Sequence, residues 1–137
     1  LREELKSTFL LTNCDVIHDL DHGDLIDFHN KNNCEITLVA SAKKLTIPYG
    51  ACEIDKKGFL SKIIEKPSLD YLINAGLYVL EPSVLKEIPD GEFFHITDLI
   101  EKVKSKGKRI GVFPIEDDAW IDIGQWDEYR SALKRLS

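Results

Sequence analysis

Asp15 and Asp122 lie far apart in the chain, yet each closes a short run of residues suited to a strand. Phe9-Leu10-Leu11-Thr12 leads into Asn13-Cys14-Asp15, and Trp120-Ile121 leads into Asp122, with Gly124 close behind. In open α/β sheets, ligands collect beyond the carboxyl ends of strands. Two carboxylates there could converge on one hard cation such as Mg²⁺, which takes oxygen ligands. For either aspartate alone, a helix cap or a turn former is the commoner use.

A second group surrounds Glu65-Lys66-Pro67. Proline biases the residue before it toward extended geometry, so Lys66 is expected extended at the end of its strand. From there its ammonium can act as a point charge on a phosphate. A solvated lysine at a hairpin exit accounts for the same three residues. Asn74-Ala75-Gly76 adds an amide side chain and a backbone stretch without Cβ, where a ligand can approach closely.

Other chemistries fail on spacing. Asp15, Asp19, Asp21 and Asp24 suggest a calcium loop, but counting from Asp19 puts Asp24 where the EF-hand needs Gly and Asn30 where it needs Glu. His18, His22, His29 and His95 have no zinc-site spacing with the cysteines, and they read as surface or capping groups. No GxSxG, Walker A or GxGxxG sequence occurs.

The elements that must position these residues follow from local pattern. Thr8 to Thr12 reads as a buried strand, and Glu35 to Ser41 as a strand rich in residues of high β propensity. Leu25, Ile26, Phe28 and His29 recur at helical spacing, with Asn32-Asn33 closing that helix. Tyr49-Gly50 to Ile54 and Phe59 to Lys66 flank the turn Asp55-Lys56-Lys57-Gly58 as an antiparallel hairpin. Ala75 to Leu80 is a strand stopped by Pro82, and Thr97 to Lys106 is a helix ended by Gly107. Arg109 to Ile115 and Trp120 to Ile123 are strands; Trp126, Tyr129, Leu133 and Leu136 form the apolar stripe of a last helix. This order predicts a three-layer α/β domain with a mixed sheet.

Composition sets outer limits. A chain of 137 residues is the size of one domain. Its formal net charge of -6 argues against a broad grip on a nucleic-acid polymer. No apolar run reaches the roughly 20 residues that span a bilayer, so no membrane partner is expected. Cys14, Cys34 and Cys52 form no CxxC pair and read as small buried hydrophobes of a reducing compartment, which makes the cytoplasm the expected location. There is no Met, and the chain opens at Leu1, so it is read as a fragment.

Taken in order, six motifs resemble those of the sugar-phosphate nucleotidyltransferase family. They are Phe9-Leu10-Leu11-Thr12-Asn13-Cys14-Asp15, Ile47-Pro48-Tyr49-Gly50, Glu65-Lys66-Pro67, Asn74-Ala75-Gly76-Leu77-Tyr78, Phe94-His95-Ile96-Thr97-Asp98 and Trp120-Ile121-Asp122-Ile123-Gly124. Each is short, but their joint order covers almost the whole chain. The subgroup most similar is that of mannose-1-phosphate guanylyltransferase-like enzymes, including relatives that act on other hexose 1-phosphates.

The resemblance implies a Rossmann-like nucleotide-diphospho-sugar transferase fold with its N-terminal part missing. It implies that Asp15 and Asp122 bind Mg²⁺ and that Lys66 contacts the sugar phosphate, these three forming the catalytic set. Glu65 would hold sugar hydroxyls, Gly50 would offer its backbone with Tyr49 beside it, and Asn74 would share the pocket. Trp120 would pack beside the metal carboxylate, while Thr97 and Asp98 would cap a helix. The implied substrates are a sugar 1-phosphate and a nucleoside triphosphate, with GTP favoured; a homo-oligomer is left open.

Two departures stand out. Cys14 replaces the family's usual Gly between Asn and Asp, and the glycine-rich N-terminal signature carrying Arg and Lys is absent and would lie upstream of Leu1. Residues 1–137 are therefore expected to be the C-terminal part of a catalytic domain, inactive alone. The alternatives are a glycosyltransferase of related fold and a non-catalytic regulatory or assembly module.

Overall fold

The computed structural model describes residues 4–124. In chain order its elements are β1 (Phe9–Thr12), β2 (Val16–His18), α1 (His22–Lys31), β3 (Ile36–Thr46), β4 (Ala51–Ile54), β5 (Leu60–Ile64), β6 (Ser68–Leu80), a 3₁₀ helix (Pro82–Glu87), α2 (Ile96–Ser105), β7 (Ile110–Ile115) and β8 (Trp120–Asp122). The central sheet runs β1-β6-β3-β7. Its first two pairings are antiparallel and the β3–β7 pairing is parallel, so the sheet is mixed.

Alternation along the strands separates two apolar clusters, because successive side chains of a strand point to opposite faces. Leu25 of α1 packs with Val39, Leu77, Val79 and Ile115 on one side. Leu99 and Val103 of α2 pack with Ile36, Tyr78, Leu80 and Val84 on the other. The result is the expected three-layer arrangement, with one helix on each face.

Local chemistry explains the helix ends. The Asp21 side chain accepts from Gly23 N at 2.6 Å and Asp24 N at 3.4 Å, which caps α1. At the other end, Asn32 Nδ2 donates to Phe28 O at 2.8 Å. Gly107 follows α2 with φ of 74°, a left-handed conformation that costs glycine little. Thr97 and Asp98 are not the caps of α2. The cap position falls on His95, which makes no side-chain capping bond, and Asp98 lies in the first turn.

β6 is longer than the strand Ala75 to Leu80 expected from sequence. Its first seven residues are exposed although Leu69, Tyr71, Leu72 and Ile73 are among them; their pairing with Ala40 to Thr46 of β3 holds them extended. Beyond β1 and β7 these two strands continue as a ribbon exposing Leu45, Leu69, Tyr71 and Leu72. The β4–β5 hairpin forms as expected around Asp55, whose Oδ1 accepts from Lys57 N at 2.8 Å and Phe59 N at 3.0 Å.

Two side-chain assignments change. His29 is buried rather than at the surface: its Nε2 donates to Glu81 Oε1 at 3.1 Å, and its Nδ1 lies 2.8 Å from Thr37 Oγ1. Of the cysteines only Cys34 is buried; Cys14 and Cys52 are exposed, each in a segment where the core does not reach. The helix expected over Trp126 to Leu136 lies outside the described residues. No helix among the described residues is long and apolar enough to cross a membrane.

Candidate functional site

The site begins where β1 ends. Asn13 N donates to Gly76 O at 2.8 Å, extending the β1–β6 ladder by one residue, and the chain then turns through Cys14 and Asp15 into β2. β2 pairs antiparallel with β8, Val16 opposite Asp122 and His18 opposite Trp120. Ile123 N donates to Asp15 O at 2.9 Å, which carries the pairing one step further. The two aspartates, from opposite ends of the chain, become neighbours through this short ribbon.

Their carboxylates share a space that Gly124 leaves open. A Cβ added to Gly124 would lie 2.8 Å from Asp15 Oδ2 and 3.1 Å from Asp122 Oδ1. Gly124 N also donates to Asp122 Oδ1 at 2.9 Å, which orients that carboxylate. A cation seated where both carboxylates face would be attracted by both. Among the described residues, no group of three or more His, Cys, Asp or Glu could hold a metal ion. A two-carboxylate site of this kind suits Mg²⁺, which commonly binds one or two carboxylates and completes its shell with water and phosphate oxygens.

A cleft of about 310 Å³ opens beside the pair, lined by Asn13, Asp15, Asn74, Gly76, Trp120 and Asp122 among others. Asn74 reaches it through a bulge in β6. Leu38 pairs with Tyr78 and Ala40 with Asn74, so Ala75, Gly76 and Leu77 face Val39 alone. Gly76 sits at φ of 73°, and a Cβ there would come within 2.8 Å of Asn13 Nδ2. The Asn74 amide is held at both ends: Nδ2 donates to Tyr78 Oη at 2.8 Å, and Oδ1 accepts from Gly76 N at 3.1 Å. Trp120 lines the same cleft; its Nε1 is buried with no hydrogen-bond partner among the described residues, and Lys43 Nζ lies 5.0 Å from the centre of its ring.

Tyr49, Gly50, Glu65 and Lys66 form a second cluster at the base of the β4–β5 hairpin and do not line that cleft. The Ala51–Ile64 pair sets Gly50 against Glu65, whose Oε2 lies 3.3 Å from where a Gly50 Cβ would be. Tyr49 is 74% exposed. Lys66 corrects the sequence expectation: its φ is 44°, left-handed rather than extended. Proline disfavours the right-handed α region for the preceding residue. Here the chain also bends between β5 and β6, with Ile47 N donating to Pro67 O at 2.9 Å just beyond, and the left-handed conformation serves that bend.

Residues that sequence reasoning passed over complete the site. Asn13 and Tyr78 were visible only as members of motifs, and His18 had no signal beyond its type. His18 Nε2 donates to Ala75 O at 2.8 Å, within the bulge. Only the β2–β8 pairing, which joins two three-residue strands, brings it there.

The chain is 32% identical over 136 residues to a mannose-1-phosphate guanyltransferase of Candida albicans, covering 91% of this chain and 35% of that protein. It is 27% identical over 135 residues to a UTP–glucose-1-phosphate uridylyltransferase of Synechocystis, covering 93% of this chain and 34% of the relative. It thus spans about a third of the length of the curated relatives it matches. The crystal structure of HddC from Yersinia pseudotuberculosis superposes with a TM-score of 0.64 at 23% identity, over 96% of this chain and 56% of that one, and shares the fold. The family model described as nucleotidyl transferase matches residues 1–137, the whole sequence, and the chain belongs to that family.

Proposed function

We propose that the protein serves the transfer of a nucleotidyl group from a nucleoside triphosphate to a sugar 1-phosphate, with release of pyrophosphate. The observation that carries this reading is the meeting of the Asp15 and Asp122 carboxylates over Gly124, beside the cleft that Asn74 enters. GTP is the favoured triphosphate, on the likeness to a mannose-1-phosphate guanyltransferase. The free thiols Cys14, Cys34 and Cys52 favour a reducing compartment, the cytoplasm.

The obstacle to this reaction is electrostatic, because two polyanions must meet. Asp15 and Asp122 would hold Mg²⁺, which when bound neutralises phosphate charge. Asn74, fixed by Tyr78 and Gly76, offers its remaining amide N–H to a sugar oxygen. Glu65 accepts from sugar hydroxyls, with Tyr49 beside it and Gly50 leaving room for the ring. Lys66 sets its ammonium against the sugar phosphate. A phosphate oxygen of the sugar 1-phosphate forms a bond to the α-phosphorus as the bond to pyrophosphate breaks. That oxygen is already ionised, so positioning suffices and no side chain need remove a proton.

Calorimetry on the 137-residue chain with mannose 1-phosphate or glucose 1-phosphate, with and without Mg²⁺, tests the site. Metal-dependent binding that is lost in Lys66→Ala and in Asp122→Asn is the expected result. Binding indifferent to the metal and to both substitutions overturns the assignment. Where pyrophosphate release from GTP or UTP is measurable, Asp122→Asn lowers turnover on the order of 100-fold. Release of a nucleoside diphosphate from a nucleotide sugar would indicate glycosyl transfer instead.

A further inference from the structure

We infer that His18 is a positioning residue: it clamps the Asn74–Gly76 bulge to the strand pair that carries Asp15 and Asp122. The β2–β8 ribbon is a separate two-stranded sheet, outside the ladder of the central four strands. The bulge, in turn, takes backbone groups of β6 out of register with β3. Buried backbone groups need partners, and those of the bulge find them in the site itself. Gly76 O accepts from Asn13 N, Gly76 N donates to Asn74 Oδ1, and Ala75 O accepts from His18 Nε2. Asn13 and His18 stand on either side of Asp15 in sequence. One of these bonds comes from the backbone beside β1; the His18 bond is the side-chain link from the ribbon to the bulge.

The bond also fixes the chemistry of the ring. A carbonyl oxygen only accepts, so the hydrogen sits on Nε2, and protonation of Nδ1 would leave the link intact. His18 therefore acts as a strut, through a bond that needs only its Nε2 hydrogen. Its consequence is the spacing between two halves of the site, the carboxylate pair and the Asn74 amide. The functional part of the inference rests on the sugar-phosphate reading above; the structural part stands without it.

The test compares His18→Ala and His18→Gln with the parent 137-residue chain. The glutamine amide restores an N–H donor at a similar reach. By NMR hydrogen exchange, His18→Ala is expected to raise exchange at the Gly76 amide about 10-fold, because it releases the carbonyl end of the Ala75–Gly76 peptide whose N–H rests on Asn74 Oδ1, with His18→Gln returning most of the protection. Unchanged protection in His18→Ala, or equal loss in both variants, overturns the positioning role. On the same proteins, Mn²⁺ affinity followed by EPR stays at the parent value, because both carboxylates lie on the ribbon side. Mannose 1-phosphate binding in the presence of Mn²⁺ weakens about 10-fold in His18→Ala and recovers in His18→Gln. A parent chain that binds neither Mn²⁺ nor mannose 1-phosphate would sink the sugar-phosphate reading, while the exchange data would still decide the role of His18.

Discussion

At the scale of single residues, Gly124 is as informative as the aspartates it separates. A Cβ there would have to displace the carboxylates, because oxygens of Asp15 and Asp122 already approach that point to 2.8 and 3.1 Å. Its φ does not demand glycine, so the requirement is one of space. Gly124→Ala should force the carboxylates apart and weaken Mn²⁺ binding on the order of 10-fold, with little loss of stability, since the residue is exposed. EPR titration of Mn²⁺ against the variant checks this, and parent-like affinity would show that the two oxygens do not act together. Gly76 makes the contrasting case. There both the left-handed φ and the closeness of Asn13 exclude a side chain.

Among the elements, the helices brace the sheet that the site is mounted on. α1 presents one apolar face, with Leu25 fully buried, and relies on Asp21 to satisfy its first amides. Asp21→Ala should lower stability by about 1 kcal/mol, measured by urea unfolding, while leaving Mn²⁺ affinity unchanged. The same helix carries His29, whose bonds to Glu81 and Thr37 tie it to the end of β6 and to β3. Thr8 Oγ1 donates to the same Glu81 oxygen at 2.7 Å, so one carboxylate joins the approach to β1 with α1. The strands bring the other lesson. Their length comes from pairing, which is why β3 and β6 run on through residues such as Lys44 and Asp70 that show no burial.

Across the whole molecule, Glu35 links the start of β3 to the 3₁₀ helix and to the segment before β7. Ser83 Oγ donates to its Oε2, and Lys108 Nζ lies 3.0 Å from its Oε1. The Ser83 hydrogen bond first, and Lys108 second, hold this carboxyl below its ordinary value. The folded state thus takes up the proton less readily than the unfolded chain. The contact stabilises the fold above the unfolded pKa, and that contribution disappears as pH falls through the lower folded value. Ser83→Ala should return the Glu35 titration, followed by carbon NMR, toward the usual carboxylate range. The stability difference from the parent should shrink as acid protonates both proteins.

Much of this architecture is written locally. The cap at Asp21, the turn at Asp55 and the left-handed Gly107 each depend on atoms a few residues apart, so residue type alone determines them. Among the described residues, α1, α2, the hairpin, the main strands and the strand-end setting of Asp122 were legible for the same reason, whereas β2 and the 3₁₀ helix Pro82–Glu87 were not. The pairing of β2 with β8 was not. It joins two three-residue strands from opposite ends of the chain, whose few bonds gain meaning only once the surrounding sheet has packed. That pairing sets Asp15 against Asp122 and brings His18 to the bulge of β6, which delivers Asn74. Burial likewise decided His29 and the turn decided Lys66, because the free energy of each depends on neighbours that the linear order does not name.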